Sequence, residues 1–283
     1  MPPVEILIEG LTQSCILMTM AFGMVLVYSI LGILNWTHGW LYMLGAYVVF
    51  FATTAAGIPF PFGILLAGLA MAVIGILIKK FIIDHAGNEL YVGVATLALI
   101  GVLEGAATLL FTGDDRGLAT ILPGVLRLGV VAVSYQKMAV IGFTLVVMAA
   151  MYFVLNHTKV GLAIRAVAQQ PVAASLYGIS TARLSLIVMG IGCGMAGMAG
   201  AITAPIYSIN PFIGMSPQIM ALLAIVLGGL GSLTGAIVGG LIIGFMNSVM
   251  AYYISYVSEV VLFALIILIL LVRPQGLFGA SAK

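Results

Sequence analysis

Long apolar runs that very few charges interrupt follow one another along this chain, and they restrict its fold more than any other feature. A helix needs about 20 mostly apolar residues to cross the hydrocarbon core of a bilayer. Runs of this kind cover residues 11–34, 38–55, 62–83, 90–111, 137–156, 181–207, 218–231, 234–252 and 258–272. We therefore predict an all-α, polytopic integral membrane protein with eight or nine transmembrane helices.

The composition excludes a soluble globular domain. Charged residues make up 6% of the 283 residues, hydrophobic residues 63%, and the mean hydropathy is +1.29. An average soluble domain carries about 25% charged residues.

The seventh run is short and ends in Gly228, Gly229 and Gly231, which predicts a half-helix or re-entrant segment. We expect one transmembrane domain over residues 1–283, without an attached soluble domain.

Lys and Arg fall unevenly between the two sets of loops. With nine crossings, one set of loops holds Lys79, Lys80, Lys159, Arg165, Arg183, Arg273 and Lys283, and the other holds Arg116, Arg127 and Lys137. Cytoplasmic loops of membrane proteins carry the excess of basic residues. The C-terminus is therefore predicted to be cytoplasmic and the N-terminus external, with residues 112–136 as an external loop. With eight crossings, only the N-terminal part would change sides.

Residues 157–180 form the longer of the polar interruptions and are predicted to be cytoplasmic. Pro171 suits the first position of a helix, and Gly178 suits the left-handed residue that ends one. Val172 and Leu176, four residues apart, would then share one face. A second short helix is expected over 161–168. Such a segment either docks into a groove on another protein or is a plain surface loop between two spans.

Three strings of the sequence carry a resemblance to a known family. They are GLAIRAVAQQPVAASLYGIS at 161–180, GILNWTHG at 32–39 with YMLGAY at 42–47, and LGGLGSLTGA at 227–236 with Gly239 and Gly240. Together they resemble permease subunits of branched-chain amino acid ABC importers, of the LivH type, over essentially the whole chain. The AVAQ form of the first string resembles this subunit more than its LivM-type partner.

The resemblance implies a heteromeric importer in a bacterial inner (cytoplasmic) membrane. A second permease subunit, two cytoplasmic ATPases that hold ATP and Mg²⁺, and an external substrate-binding protein are its implied partners. The chain itself has no G-x-x-x-x-G-K-[S/T] string for nucleotide phosphates, so we expect no enzyme activity and no bound cofactor. The residues implied to couple to the ATPases are Arg165, Ala166, Gln169, Gln170, Pro171, Ala174, Ser175 and Gly178.

The candidates for the translocation path lie at the helix break, within the spans and in the glycine-rich late segment. They are Asn35, His38, Gly39, Trp40, Tyr42, Met43, Glu104, Met220, Gly228, Gly229, Gly231 and Ser232. Asn35 and His38 either face the path or hold the break through a mutual hydrogen bond. The late glycines are expected to serve helix packing more than solute contact. The three histidines lack ligand spacing, so no metal site is predicted.

Glu104 is the one acidic residue well inside a predicted span. An ionisable group there costs about 3 kcal/mol on insertion scales, so it should face the interior or water. It either carries a proton, contacts a polar group of the solute, or is a neutral acid hydrogen-bonded between helices. The last interpretation predicts that Glu104→Gln keeps most transport.

The sequence departs from the family pattern where charges are usual. Trp40 stands where the family commonly has Glu, Met220 where it commonly has Lys, and Gln170 where it commonly has Asn. As a hypothesis, the interior suits a bulkier or less zwitterionic solute than in the relatives. The solute therefore stays open between branched-chain amino acids and urea, amides, aromatic or carboxylic acids. A secondary transporter that uses Glu104 is the alternative of another class.

Three glycine pairs with a spacing of four residues are typical of close helix packing in membranes. They are Gly190/Gly194, Gly235/Gly239 and Gly240/Gly244.

Overall fold

The computed structural model describes residues 3–128, 131–254 and 257–279. Lys283, which was counted above among the basic residues of one set of loops, lies outside these residues. Within them, the chain forms eleven α-helices, one 3-10 helix (Ile83–His85) and one two-stranded hairpin. The helices are α1 Pro3–Leu31, α2 His38–Thr54, α3 Phe60–Phe81, α4 Glu89–Phe111, α5 Tyr135–His157, α6 Lys159–Gln169, α7 Pro171–Leu176, α8 Thr181–Thr203, α9 Met215–Gly228, α10 Leu233–Tyr253 and α11 Ser258–Val272.

All nine predicted apolar runs are helical, which confirms the all-α polytopic membrane fold. Six helices are long and apolar enough to cross a membrane: α1, α3, α4, α5, α8 and α10. The shorter α9 and α11 are also apolar. The seventh run is the 14-residue α9, which begins three residues before the predicted start and ends at Gly228.

Polar side chains set several of the helix starts. Asn88, Ser134, Thr158, Ser180 and Ser232 each accept a hydrogen bond from a backbone N–H in the first turn of α4, α5, α6, α8 and α10, respectively. These side chains satisfy donors that a helix start leaves without a partner. The boundaries of the apolar elements thus follow from single polar residues between the runs.

Residues 112–134 contain more structure than the predicted loop. Strand β1 (Val125–Leu128) pairs antiparallel with β2 (Val131–Ser134), and the backbone of Arg116 exchanges two hydrogen bonds with that of Ile209. The Val- and Leu-rich stretch on both sides of Gly129 favours paired strands. We call this end of the molecule the hairpin face.

The opposite end carries α6 and α7, and we call it the α6–α7 face. The end of α1, the end of α3 and the start of α8 meet there around Leu31, Lys79 and Thr181. The segment after α11 returns to the same face, because the Phe278 N–H donates to the Gly228 carbonyl. The start of α1 lies at the hairpin face, where Glu9 pairs with Lys137. The two described ends of the chain thus lie at opposite faces.

Helices α1 and α8 form the centre of the bundle, while α4 lies at its edge. Of an 18-residue stretch, 72% is buried in α1 and 78% in α8, but only 11% in α4. The predicted glycine pairs each pack on one helix: Gly190/Gly194 on α3, Gly235/Gly239 on α9 and Gly240/Gly244 on α1. The exposed apolar surface of α4 is left for lipid or for a partner subunit.

Candidate functional site

After α1 the chain turns back into the interior before α2 begins. Asn35, Thr37 and His38 are all buried, at 2%, 0% and 0% exposure. The Asn35 Oδ1 accepts hydrogen bonds from the Thr37 N–H (3.1 Å) and from the Thr37 hydroxyl (2.7 Å). The predicted helix break is therefore confirmed, but the expected hydrogen bond between Asn35 and His38 is wrong. Thr37 takes that place because it can reach the amide oxygen through both of its donors.

The imidazole of His38 lies between α1 and α8. It is close to Gly23 and to the backbone of Gly192. Among the described residues, neither Nδ1 nor Nε2 has a well-formed hydrogen bond. A buried polar group without a partner costs free energy.

The N-terminal ends of α2 and α9 meet inside the bundle. Gly39, in the first turn of α2, contacts Gly214, the residue before α9. Neither helix start has a side-chain cap: Thr37 and Gly214 make no such hydrogen bond. The first N–H groups of a helix lack intrahelical partners and carry a partial positive charge. At α9 the Met215 N–H donates to the Phe212 carbonyl and Pro217 has no N–H, so it is the start of α2 that makes this region electropositive.

A cavity of about 280 Å³ opens beside this contact, and we call it the tryptophan cavity. Both tryptophans of the chain line it, together with residues of α4 and of the segment before and within α9. Its lining is Trp36, Gly39, Trp40, Met43, Leu97, Ile100, Glu104, Pro211, Gly214, Met215, Gln218 and Ile219. The structure thus gathers four of the predicted path residues, Gly39, Trp40, Met43 and Glu104.

Three polar side chains of this lining have polar atoms without a described partner, although the Gln218 Nε2 donates to the Met24 Sδ at 3.8 Å. Gln218 is only 6% exposed, and its Oε1 accepts no hydrogen bond. The indole Nε1 of Trp40 is buried and unpaired as well. No hydrogen bond to the Glu104 carboxyl occurs within the described ranges; Thr108 bonds only to the Glu104 backbone carbonyl. The interpretation of Glu104 as an acid hydrogen-bonded between helices therefore finds no support here.

Tyr42 and Met220 face a different cavity, of about 230 Å³, on the other side of the α2–α9 contact. We call it the tyrosine cavity, because Tyr207 also lines it. The Tyr42 hydroxyl lies 2.7 Å from the Thr203 hydroxyl, and the Tyr207 hydroxyl accepts a hydrogen bond from Gln13. The predicted path residues are thus divided between two cavities.

A third cavity, of about 430 Å³, opens at the hairpin face and shares Gln13 and Asn247 with the tyrosine cavity. Glu9 lies in its wall, where its carboxylate pairs with the Lys137 ammonium at 2.5 Å and accepts a hydrogen bond from Tyr207 at 3.3 Å. A wall this polar within a membrane bundle suits a water-filled space.

The late glycines lie at the α6–α7 face, away from these cavities. Gly228 packs on Gly235, Gly229 lies against Gly276, and Ser232 caps α10. The Gly231 carbonyl accepts a hydrogen bond from Ser29. In this structure all four residues serve packing and turn geometry, in line with the expectation that packing is their main role.

The segment 157–180 forms two helices, as the sequence predicts. Pro171 is the first residue of α7, and Gly178 has φ +83°, the left-handed conformation that glycine favours. Val172, Leu176 and Tyr177 are 73%, 83% and 90% exposed. This α7 patch is an apolar surface that none of the described residues covers.

The implied coupling residues occupy different environments in the two helices. Gln169, Gln170, Pro171, Ser175 and Gly178 are exposed, Ala166 is half-buried and Ala174 is buried. The Arg165 guanidinium donates to the Leu155 carbonyl and to the Asn156 Oδ1 at the end of α5. In this chain Arg165 and Ala174 therefore hold α6 and α7 in place rather than face outward.

Several lining residues escaped the sequence analysis. Gln218 was the detectable one, because it is a lone amide in an otherwise apolar short run. Trp36, Gly214 and Met215 reach the tryptophan cavity only because two distant segments meet. Gln13 and Tyr207 likewise come together across 194 positions of sequence.

The chain matches the family model of the branched-chain amino acid transport system permease component over residues 6–270. It is 31% identical over 290 residues to the high-affinity branched-chain amino acid transport permease BraD of Pseudomonas aeruginosa, covering 96% of this chain and 94% of the relative. It is 32% identical over 289 residues to LivH of Escherichia coli K12, with the same coverage. A probable LivH of Methanocaldococcus jannaschii is 25% identical over 296 residues, which cover 99% of this chain and 94% of that protein.

No solved structure matches the chain significantly. The family model spans nearly all of the sequence, and two of these relatives exceed 30% identity over almost their full length. The chain belongs to the family of branched-chain amino acid transport system permease components.

Proposed function

We propose that this chain is a permease subunit of an ATP-driven ABC importer and that it moves branched-chain or related hydrophobic amino acids by alternating access. The family membership supports the transport role. The exposed α7 patch is the observation that carries the coupling to ATP hydrolysis. A domain with no nucleotide-binding string needs a partner for its energy, and this patch offers a place for one.

The shape of α6 and α7 suits docking. Val172, Leu176 and Tyr177 project from a two-turn helix whose other side, at Ala174, packs on the bundle. Apolar residues at helical spacing anchor such a helix in a groove of a partner. Arg165 ties α6 to the last turn of α5, so a displacement of α7 is transmitted to a membrane-spanning helix. In this proposal the α6–α7 face is cytoplasmic and the hairpin face is external.

The proposed complex contains a second permease subunit of the LivM type, two ATPases and an external binding protein, in a bacterial inner membrane. ATP and Mg²⁺ bind in the ATPases. The distribution of basic residues supports the orientation, since Lys79, Lys159 and Arg183 belong to elements that meet at the α6–α7 face.

Affinity purification tests the coupling directly. We expect Leu176→Asp and Tyr177→Asp to lose the ATPase subunits and ATP-dependent uptake while the permease remains in the membrane. The matched control is Leu122→Asp, which places the same acid on an exposed apolar residue of the hairpin face. Retention of the ATPases by both α7 variants would contradict this docking surface. Loss of the ATPases from Leu122→Asp would instead place the hairpin face on the cytoplasmic side.

A further inference from the structure

We infer that the tryptophan cavity is a solute-binding site built for the zwitterionic head and the apolar side chain of a hydrophobic α-amino acid. The inference rests on the proposed function and adds to it a site and the role of each wall. It assigns Gln218 to the site, and it makes Glu104 a residue that contacts the solute. Three independent features of the cavity carry it.

The first feature is an anion site at the crossing of α2 and α9. Gly39 and Trp40 of the first turn of α2 line the cavity, and so do Gly214 and Met215 at the start of α9. The start of α2 lacks a side-chain cap, whereas at the start of α9 the Met215 N–H already donates to the Phe212 carbonyl and Pro217 has no N–H. The donors of this wall therefore come from α2, and the uncapped N-terminus of an interrupted membrane helix favours a carboxylate. The buried, unpaired indole N–H of Trp40 adds a neutral donor to this wall.

The second feature is a cation site in the lining of the same cavity. Glu104 supplies a carboxylate, and Gln218 supplies an amide oxygen that is buried and has no described partner. The two residues come from different helices, α4 and α9. An ammonium group between them donates hydrogen bonds to both, and it offsets the cost of an acid inside a membrane.

The third feature is an apolar wall. Met43, Leu97, Ile100 and Ile219 line the rest of the cavity. Such a wall accepts an aliphatic or aromatic side chain through the hydrophobic effect. Trp40 replaces a charge of the family pattern without removing the polar contacts, because Glu104, Gln218 and the start of α2 remain. A zwitterion therefore fits better than the less zwitterionic solute that the sequence alone suggested.

Uptake by the whole complex in cells tests the polar contacts. We expect Glu104→Gln and Gln218→Leu each to lower the rate of leucine uptake by about tenfold, as for the loss of a hydrogen bond to a charged group. Glu89→Gln is the control for charge, since it removes an exposed acid from the same helix α4. Uptake should stay at the wild-type level in this control.

Gln136→Leu is the control for a buried amide. Gln136 is 3% exposed and both of its amide atoms are unpaired among the described residues, but it does not line this cavity. Removing an unpaired buried amide should raise the melting temperature of Gln136→Leu. Gln218→Leu loses only the long contact from its Nε2 to the Met24 Sδ and should be at least as stable as the wild type. Only Gln218→Leu should also lose uptake, which a purely structural role cannot produce.

Tryptophan fluorescence of the purified full chain reports binding itself, because its only two tryptophans line the cavity. We expect L-leucine to shift the emission in a saturable way. The 2-oxo acid of leucine lacks the ammonium group, and the amine left by decarboxylation of leucine lacks the carboxylate. Each should bind about tenfold more weakly than L-leucine. Trp40→Phe keeps Trp36 as the reporter.

The outcomes separate the inference from the function it rests on. If wild-type complex transports leucine but Glu104→Gln and Gln218→Leu behave like their controls, the site assignment is overturned and the importer stands. Equal emission shifts with all three ligands also overturn it. If the wild-type complex contains no ATPase and shows no ATP-dependent uptake, the importer proposal fails, whatever the fluorescence shows.

Discussion

Gly39 and Gly214, at the starts of α2 and α9, approach so closely that a Cβ atom on either would overlap the backbone carbonyl of the other. The contact brings two helix starts together inside the bundle. Both glycines also line the tryptophan cavity. Glycine is required here by space, since both residues have negative φ.

Gly214→Ala should destabilise the chain strongly because the added methyl group meets backbone rather than a flexible side chain. Overpacking of this kind costs about 1–3 kcal/mol. Thermal unfolding of the purified protein measures the effect. Gly101→Ala on α4 is the control: it has open space around it and should gain about 0.5–1 kcal/mol. Equal stability of the two variants would contradict the close contact.

Substitution of Tyr42 and substitution of Thr203 should lower the melting temperature by different amounts, although both remove the same hydrogen bond. In Tyr42→Phe, the Thr203 hydroxyl still donates to a backbone carbonyl of its own helix, Ala199 or Gly200. In Thr203→Val, the buried Tyr42 hydroxyl loses its described partner, which costs about 1–3 kcal/mol. We therefore expect Thr203→Val to lower the melting temperature more. The reverse order would show that Tyr42 has another partner.

Asn35→Ala should destabilise the break before α2 by about 1–3 kcal/mol, because two Thr37 donors lose their acceptor. Thr37→Val removes only the hydroxyl donor and should cost less. Because the two residues form one unit, the double variant should be less destabilised than the sum of the single variants. Additive changes in unfolding free energy would show that the residues act separately.

Arg165→Met should lower stability by about 1–2 kcal/mol, since its guanidinium donates to the Leu155 carbonyl and to the Asn156 Oδ1 in the last turn of α5. Lys159→Met on the same helix removes an exposed charge and should stay within about 0.5 kcal/mol of wild type. The comparison is made by thermal unfolding in detergent. A loss of ATPase binding in Arg165→Met at unchanged stability would instead make Arg165 a direct docking residue.

The ion pair of Glu9 and Lys137 should contribute little to stability, because each side chain is about one third exposed (34% and 32%). Exposed or half-exposed pairs are worth about 0–1 kcal/mol and weaken with salt. We expect Lys137→Met to be nearly as stable as wild type at 1 M salt. A large loss that persists at this salt concentration would show that the pair is structurally essential.

The sequence alone determined the class of fold, the position of the apolar helices and the shape of the segment 157–180. Apolar length predicts a membrane helix because lipid offers no hydrogen bonds to an open backbone. Pro171 and Gly178 fixed the limits of α7 because each restricts its own backbone dihedrals. These are local properties, so the residues that carry them are close in sequence.

The tertiary structure decided which candidates lie together. It divided Trp40 and Tyr42, only two residues apart, between two cavities, because successive positions of a helix point in different directions. It placed Glu104 and Gln218 in the lining of one cavity, and it turned Arg165 toward α5. None of this follows from residue type, since such contacts depend on how α2, α4 and α9 cross. The sequence determined which segments enter the membrane; only the packing of close glycines such as Gly39 and Gly214 decided what surrounds the candidate site.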